Sequence, residues 1–198
     1  MLWNRSLVMI DRETQSLWSH LLGEAMQGPL QGTELPMLPS ELVTWEAWRR
    51  EHPATTVLNL SRTHRDFVKD FYRRPERFVY GLIDAGRAHD VGFPLLLQRP
   101  LLHVDLPESA LLVTFDRDST AARLFSRTVD GQRLSFRDAD PGWMRDEQTG
   151  TRWNRNTGVA VEGPLAGSRL EQRVGIMSFT EAWRTFHPNS HTLQVAGP

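Results

Sequence analysis

Apolar positions along this chain come in short blocks separated by Gly, Pro and Asp, a spacing that suits strands and brief helices. The run Ala110-Leu111-Leu112-Val113-Thr114-Phe115 predicts a strand. Arg123 to Phe136 predicts a β-hairpin turning at Asp130-Gly131, a dipeptide suited to tight two-residue turns. Phe93 to Leu102, with Pro94 and Pro100 at its ends, predicts an edge strand. His64 to Gly81 mixes arginine with aromatic residues and predicts a short helix followed by an irregular loop. The block Leu7-Val8-Met9-Ile10 is too short for the core of a signal peptide. No apolar run nears the roughly 20 residues that a membrane-spanning helix needs. The expected fold class is mainly β with short helices, an α+β arrangement.

A repeat organises the rest. Residues 11–58 align without a gap to residues 146–193 at a constant offset of 135, and 17 of the 48 pairs are identical. Most of the identities fall into three blocks. Asp11, Thr14 and Trp18 match Asp146, Thr149 and Trp153. Gly28, Pro29 and Gly32 match Gly163, Pro164 and Gly167, with Leu30 and Leu35 matching Leu165 and Leu170. Trp48 and His52 match Trp183 and His187. Two copies at this spacing predict one domain over residues 1–198, with two pseudo-symmetric β-rich lobes from an internal duplication and a central connecting segment, 59–145.

Each block has a local physical meaning. Asp-x-x-Thr ahead of a Trp predicts a turn closed by side-chain bonds to backbone N–H groups. Gly-Pro-Leu-x-Gly predicts a second turn, in which Pro fixes φ and Gly permits close approach. The third block predicts a short helix in each copy, capped by Thr44 in the first and by a Ser178–Glu181 capping box in the second. His52-Pro53 and His187-Pro188 end these helices, because the residue before proline leaves the α region. The tryptophans read as core anchors.

The second copy is preceded by a strand and a hairpin, whereas the first has ten residues ahead of Asp11. The chain therefore reads as a truncated form of a longer protein. The edge formed by Leu7 to Ile10 is expected to lack ladder partners and to be open to self-association. Export is open if a segment precedes the present start.

The stretch Leu7-Val8-Met9-Ile10-Asp11-Arg12-Glu13-Thr14-Gln15-Ser16-Leu17-Trp18 resembles a signature of the bacterial and archaeal family catalogued as domain of unknown function 3179. So do Gly28 to Leu35 and Asp146 to Trp153. The resemblance covers nearly the whole chain, more loosely from Ser61 to Ser109, and it implies no established activity. Family members typically carry a Cys-Pro-Leu-Cys-like element upstream of the Leu-Val-Met block. This chain has no cysteine, so chemistry tied to that element does not carry over.

Composition narrows the functional classes. The chain has 198 residues, with 23 basic and 24 acidic side chains and a formal charge of −1. That balance argues against a nucleic-acid binder that works by neutralising phosphates. At 39% hydrophobic and 24% charged residues the composition is not that of a disordered chain. Zero cysteines exclude disulfides, thiolate nucleophiles and Cys-ligated metals within it.

Candidate chemistry is sparse. His20, His52, His64, His89, His103, His187 and His191 show no metal-ligand spacing, and Pro188 separates the last two from a shared helical face. No metal and no cofactor is expected. Asp11, Thr14, Asp146 and Thr149 have an adequate job in turns, and their symmetry argues against acid–base work. No Gly-x-Ser-x-Gly elbow or phosphate loop occurs. Arg62, Arg65, Arg73, Arg74 and Arg77 interleave with Phe67, Phe71, Tyr72 and Phe78, a pattern that can hold anions or single strands. Asp66, Asp70 and Glu76 dilute it, so a solvated face is expected, with Arg65, Arg73, Arg74 and Tyr72 as weak binding candidates. The leading expectation is a non-catalytic β-rich module, structural or ligand-binding. The alternatives are an enzyme with its site in the cleft between lobes, and a His/carboxylate metal-binding domain.

Overall fold

Short strands dominate the chain, as its short apolar blocks require. The computed structural model describes residues 2–3, 6–58 and 74–194. Strands β1 (Leu2–Trp3), β2 (Ser6–Ile10), β3 (Leu17–Ser19) and β4 (Glu24–Gln27) form a first antiparallel sheet in chain order. Helix α1 (Trp45–Glu51) follows, capped by the Thr44 hydroxyl, which accepts from the Ala47 N–H.

The centre of the molecule begins at β5 (Phe78–Asp84), which turns through Ala85-Gly86 into β6 (Arg87–Gly92). Both turn residues have positive φ, which matches the twist of a tight hairpin. Helix α2 (Phe93–Gln98) leads to β7 (Leu101–Asp105), β8 (Ala110–Phe115) and β9 (Ala122–Ser126). The small hairpin β10 (Thr128–Val129) and β11 (Gln132–Arg133) comes next. A sheet matching the first in order is built from β12 (Phe136–Asp138), β13 (Trp143–Asp146), β14 (Arg152–Asn154) and β15 (Ala160–Glu162). Strand β16 (Gln172–Arg173) joins β9, β17 (Ile176–Phe179) joins β5, and β18 (His191–Thr192), after helix α3 (Thr180–Phe186), joins β6.

The β7–β8–β9 sheet is buried on both faces. Leu111, Val113, Phe115, Ala122 and Leu124 pack towards β5, β6 and α2, with Tyr80, Leu82, Val91, Phe93 and Leu96. Leu112 and Phe125, one residue out of step, point the other way and pack with Met144, Trp153 and Leu170. That alternation gives the molecule two cores on one central sheet.

The observed structure is mainly β with short helices, and it differs from the local expectations in four places. Phe93–Gln98 is a helix rather than an edge strand: Gly92 caps it and Pro94 falls in its first turn, where an N–H is not needed. Phe78–Gly81 is strand rather than loop, because its aromatic run is sealed between two sheets. The Asp130-Gly131 turn is present with both φ values positive, but its ladder is confined to β10 and β11, since β9 is taken by β8 and β16. The Ser178–Glu181 capping box does not form: pairing of Ser178 with Val79 keeps it in a strand, and Phe179 occupies the cap. The helix expected from His64 onward lies outside the described residues up to position 73.

Candidate functional site

The two Asp-x-x-Thr turns are bonded alike. Asp11 accepts from the Thr14 N–H and hydroxyl, both at 2.6 Å, and from the Trp18 indole at 3.1 Å. Asp146 accepts from the Thr149 N–H at 2.5 Å, its hydroxyl at 2.9 Å and the Trp153 indole at 2.9 Å. These bonds, led by the Thr14 hydroxyl, hold the Asp11 carboxyl well below the usual carboxylate range. Each Thr hydroxyl reaches the next hydroxyl, Ser16 or Thr151, at 2.7 Å, and that oxygen accepts from Leu30 or Leu165 at 3.1 Å. The first turn is thereby fastened to the Gly-Pro-Leu turn.

Glycine is required at Gly28 and Gly163. Their φ values are 105° and 109°, and a Cβ would stand 2.7 Å and 2.8 Å from the Cα atoms of Ser16 and Thr151. Pro29 and Pro164 follow directly, and the Gly32 and Gly167 N–H groups return to Ala25 and Ala160 at 2.9 Å each.

The helix ends agree as closely. The Trp48 indole donates to Thr55 at 3.0 Å and the Trp183 indole to Ser190 at 2.8 Å. His52 and His187 cap their helices at nearly identical dihedrals, with rings 4.0 Å and 4.2 Å from those tryptophans. Burial is where the segments differ. Trp153 and Trp183 are fully buried, whereas Trp18 and Trp48 are half-buried.

The segments meet where Glu51, at the end of α1, accepts from Asn156 at 3.2 Å. Arg123 locks this seam from β9, pairing with Glu41 at 2.6 Å and Glu51 at 3.7 Å and donating to Asn156 at 3.1 Å. Beside it lies a cleft of about 380 Å³ lined by His20, Met37, Glu41, Tyr80, Ile176 and Met177, among others. Burial, and then the charge of Glu41, push the Tyr80 hydroxyl upward in pKa, so it stays protonated.

A larger cleft of about 820 Å³ runs past His89, His187 and His191. Burial is the leading cause that lowers the pKa of both His89 and His187, so these rings are neutral near pH 7. His89 Nδ1 and His187 Nε2 are buried without a bonding partner. Among the described residues no three His, Asp or Glu side chains converge to hold a metal ion.

Of the weak binding candidates, Arg65, Tyr72 and Arg73 lie outside the described residues. Arg74 is exposed, at the start of a 3₁₀ turn over Pro75–Arg77, and lines neither cleft. Sequence reasoning passed over Arg123 and Arg127, both buried. Arg127 fastens the Leu111 and Leu134 carbonyls and pairs with Asp105. A charged residue inside an otherwise apolar strand, Ala122-Arg123-Leu124-Phe125, was the available signal.

No helix of the described residues is long and apolar enough to cross a membrane. Comparison with curated proteins and with solved structures returned no match. The family model described as "Protein of unknown function (DUF3179)" matches residues 1–77 and residues 70–190, so that the first stretch holds one set of turns and helix and the second holds nearly all of the other. With nearly the whole chain matched, the protein belongs to the DUF3179 family.

Proposed function

We propose that the chain is a non-catalytic β-rich module, structural or ligand-binding, built by internal duplication of a 48-residue unit of two turns and a helix. One observation carries this reading. The recurring Asp, Thr and Trp groups are spent on closing turns: Asp11, Thr14 and Trp18, with Asp146, Thr149 and Trp153, bond one another. An active site seldom needs the same constellation twice. The matched bonds that tie Leu30 to Ser16 and Leu165 to Thr151 support the duplication, as does the family match in two stretches.

The cleft between the segments offers less to an enzyme reading. The carboxylate lining it, Glu41, is held by Arg123 at 2.6 Å, which is a structural assignment for both groups. Thermal melting tests the module reading. Asp146→Ala is expected to melt well below the parent, and added zinc or other divalent ions to leave the parent's melting unchanged. An Asp146→Ala chain as stable as the parent would remove the turn-closing role. A zinc-dependent rise in melting that His89→Ala abolishes would replace the module by a metal-binding domain.

A further inference from the structure

Among the equivalent positions, three apolar residues are sealed in one segment, while in the other two of them are exposed and the third, Trp18, is half-buried. Met144, Trp153 and Leu170 lie in a core with Leu112, Phe125 and Phe136, supplied by β8, β9 and β12. Their counterparts are Met9, Trp18 and Leu35. Met9 is 45% exposed and Leu35 50%, against 0% for Met144 and 1% for Leu170. Leu7, two residues before Met9 and so on the same side of β2, is 52% exposed, while Ser6 and Val8 on the opposite side are buried. The local geometry beneath is the same: Met9 lies opposite Trp18 as Met144 lies opposite Trp153, and Leu35 and Leu170 donate to Gly23 and Gly158 at 2.7 Å and 2.9 Å. The first segment thus presents to solvent a face whose duplicate is core.

We infer that this face is a two-fold interface, on which a second copy of the chain packs its own Leu7, Met9, Trp18 and Leu35. The inference rests on the reading of the two segments as duplicates. Three observations select this occupant. The duplicate face is covered by a sheet presenting Leu and Phe, so the cover it takes is an apolar sheet. The sheet that does the covering, β7–β8–β9, has both faces filled and cannot also serve the first segment of its own chain. Finally, the four side chains carry no charge, so a two-fold axis brings the face against itself without like-charge repulsion. Two such sheets would pack at about 10 Å, as sheets do face to face.

Sedimentation velocity of the full chain over a wide concentration range tests the interface, with Met9→Lys, Leu35→Lys and, as a control, Val161→Lys. Val161 is exposed on β15, outside the face. The parent is expected to dimerise, each face variant to weaken dimerisation by about ten-fold or more, and the control to match the parent. Both face positions are open, so melting of the variants should match the parent at concentrations where it is monomeric. A benzophenone side chain at position 9 should cross-link to the Leu7–Trp18 or Leu35 peptide of a second copy. A parent that stays monomeric would overturn the inference and leave the face to a different protein. A dimer indifferent to both lysines would overturn it by placing the contact elsewhere. Neither result touches the module reading, which stands or falls on the Asp146→Ala melt.

Discussion

Met9 lies opposite Trp18 and Met144 lies opposite Trp153, in strands paired the same way, yet Met9 is open to solvent and Met144 is sealed. The difference comes from what is placed above them. Strand β12 pairs Phe136 with Asp146 and lays its ring edge-on to Trp153 at 5.8 Å. In the first sheet β1 pairs instead with the start of β2, Leu2 with Leu7 and Trp3 with Ser6, so the expectation that Leu7 lacks a ladder partner on this edge is corrected. Among the described residues no strand pairs with Met9 and Ile10 on that side.

Replacing Asp146 removes the acceptor for the Trp153 indole and for both Thr149 donors in a buried turn. Asp146→Ala should cost about 3 kcal/mol in urea unfolding, the scale for stranding buried donors. Asp11→Ala removes the same bonds from a turn nearer to solvent and should cost less.

Gly81 lies under the Trp183 ring, where a Cβ would stand 2.3 Å from the indole. Gly81→Ala should therefore destabilise by about 1–3 kcal/mol through overpacking. Trp183→Ala should cost about 3–5 kcal/mol and Trp48→Ala less, since Trp48 is half-buried. Combining Gly81→Ala with Trp183→Phe should recover part of the loss, because the smaller ring frees the space. Denaturant midpoints of the single and double variants check this.

Arg123 holds the seam with a guanidinium that is almost wholly buried, while Glu41 and Glu51 retain some contact with water. Arg123→Met should lose about 3 kcal/mol, at the lower end for breaking a buried pair because the carboxylates can rehydrate. Cooperative unfolding should be retained, since Arg123 locks the segments but does not build either turn. Unfolding followed by both fluorescence and circular dichroism measures both effects.

His103 accepts the Phe136 N–H on its Nε2 at 2.8 Å, which a protonated ring cannot do. Burial first, and Arg127 second, lower its pKa below the ordinary 6.5. Above 6.5 neither folded nor unfolded chain protonates it; below, the unfolded chain binds a proton that the folded chain refuses. Stability should therefore fall as pH drops through this window, and His103→Gln, which keeps an acceptor without titrating, should flatten the drop. Melting temperatures from pH 8 down to about pH 5 read the slope directly.

Local chemistry in this chain is legible in its sequence, and tertiary placement is not. Asp11 to Thr14 and Asp146 to Thr149 announce their turns because every bond is made within seven residues. The Asp130-Gly131 turn is legible for the same reason. Arg123 and Gly81 are silent because their partners, Glu41 and Trp183, lie far along the chain. Pro94 misled, since a proline excluded from a central strand is equally at home in the first turn of a helix. Nor could the repeat alone show that one copy of Trp18/Trp153 is covered and the other is not. Cover comes from β8, β9 and β12, which lie outside the repeat.

Amide hydrogen exchange of the two equivalent sheets tests the account most directly. Residues 6–19 and 141–154 share their turn and the pairing of its two flanking strands but differ in outer ladder and in cover, so dilute protein should exchange the first stretch faster than the second. Raising the concentration should slow the first stretch alone, as a second copy covers Met9 and Leu35. Equal exchange of the two stretches at the lowest concentration, or a gap that concentration leaves untouched, would contradict a duplicated unit with one face left for a partner copy.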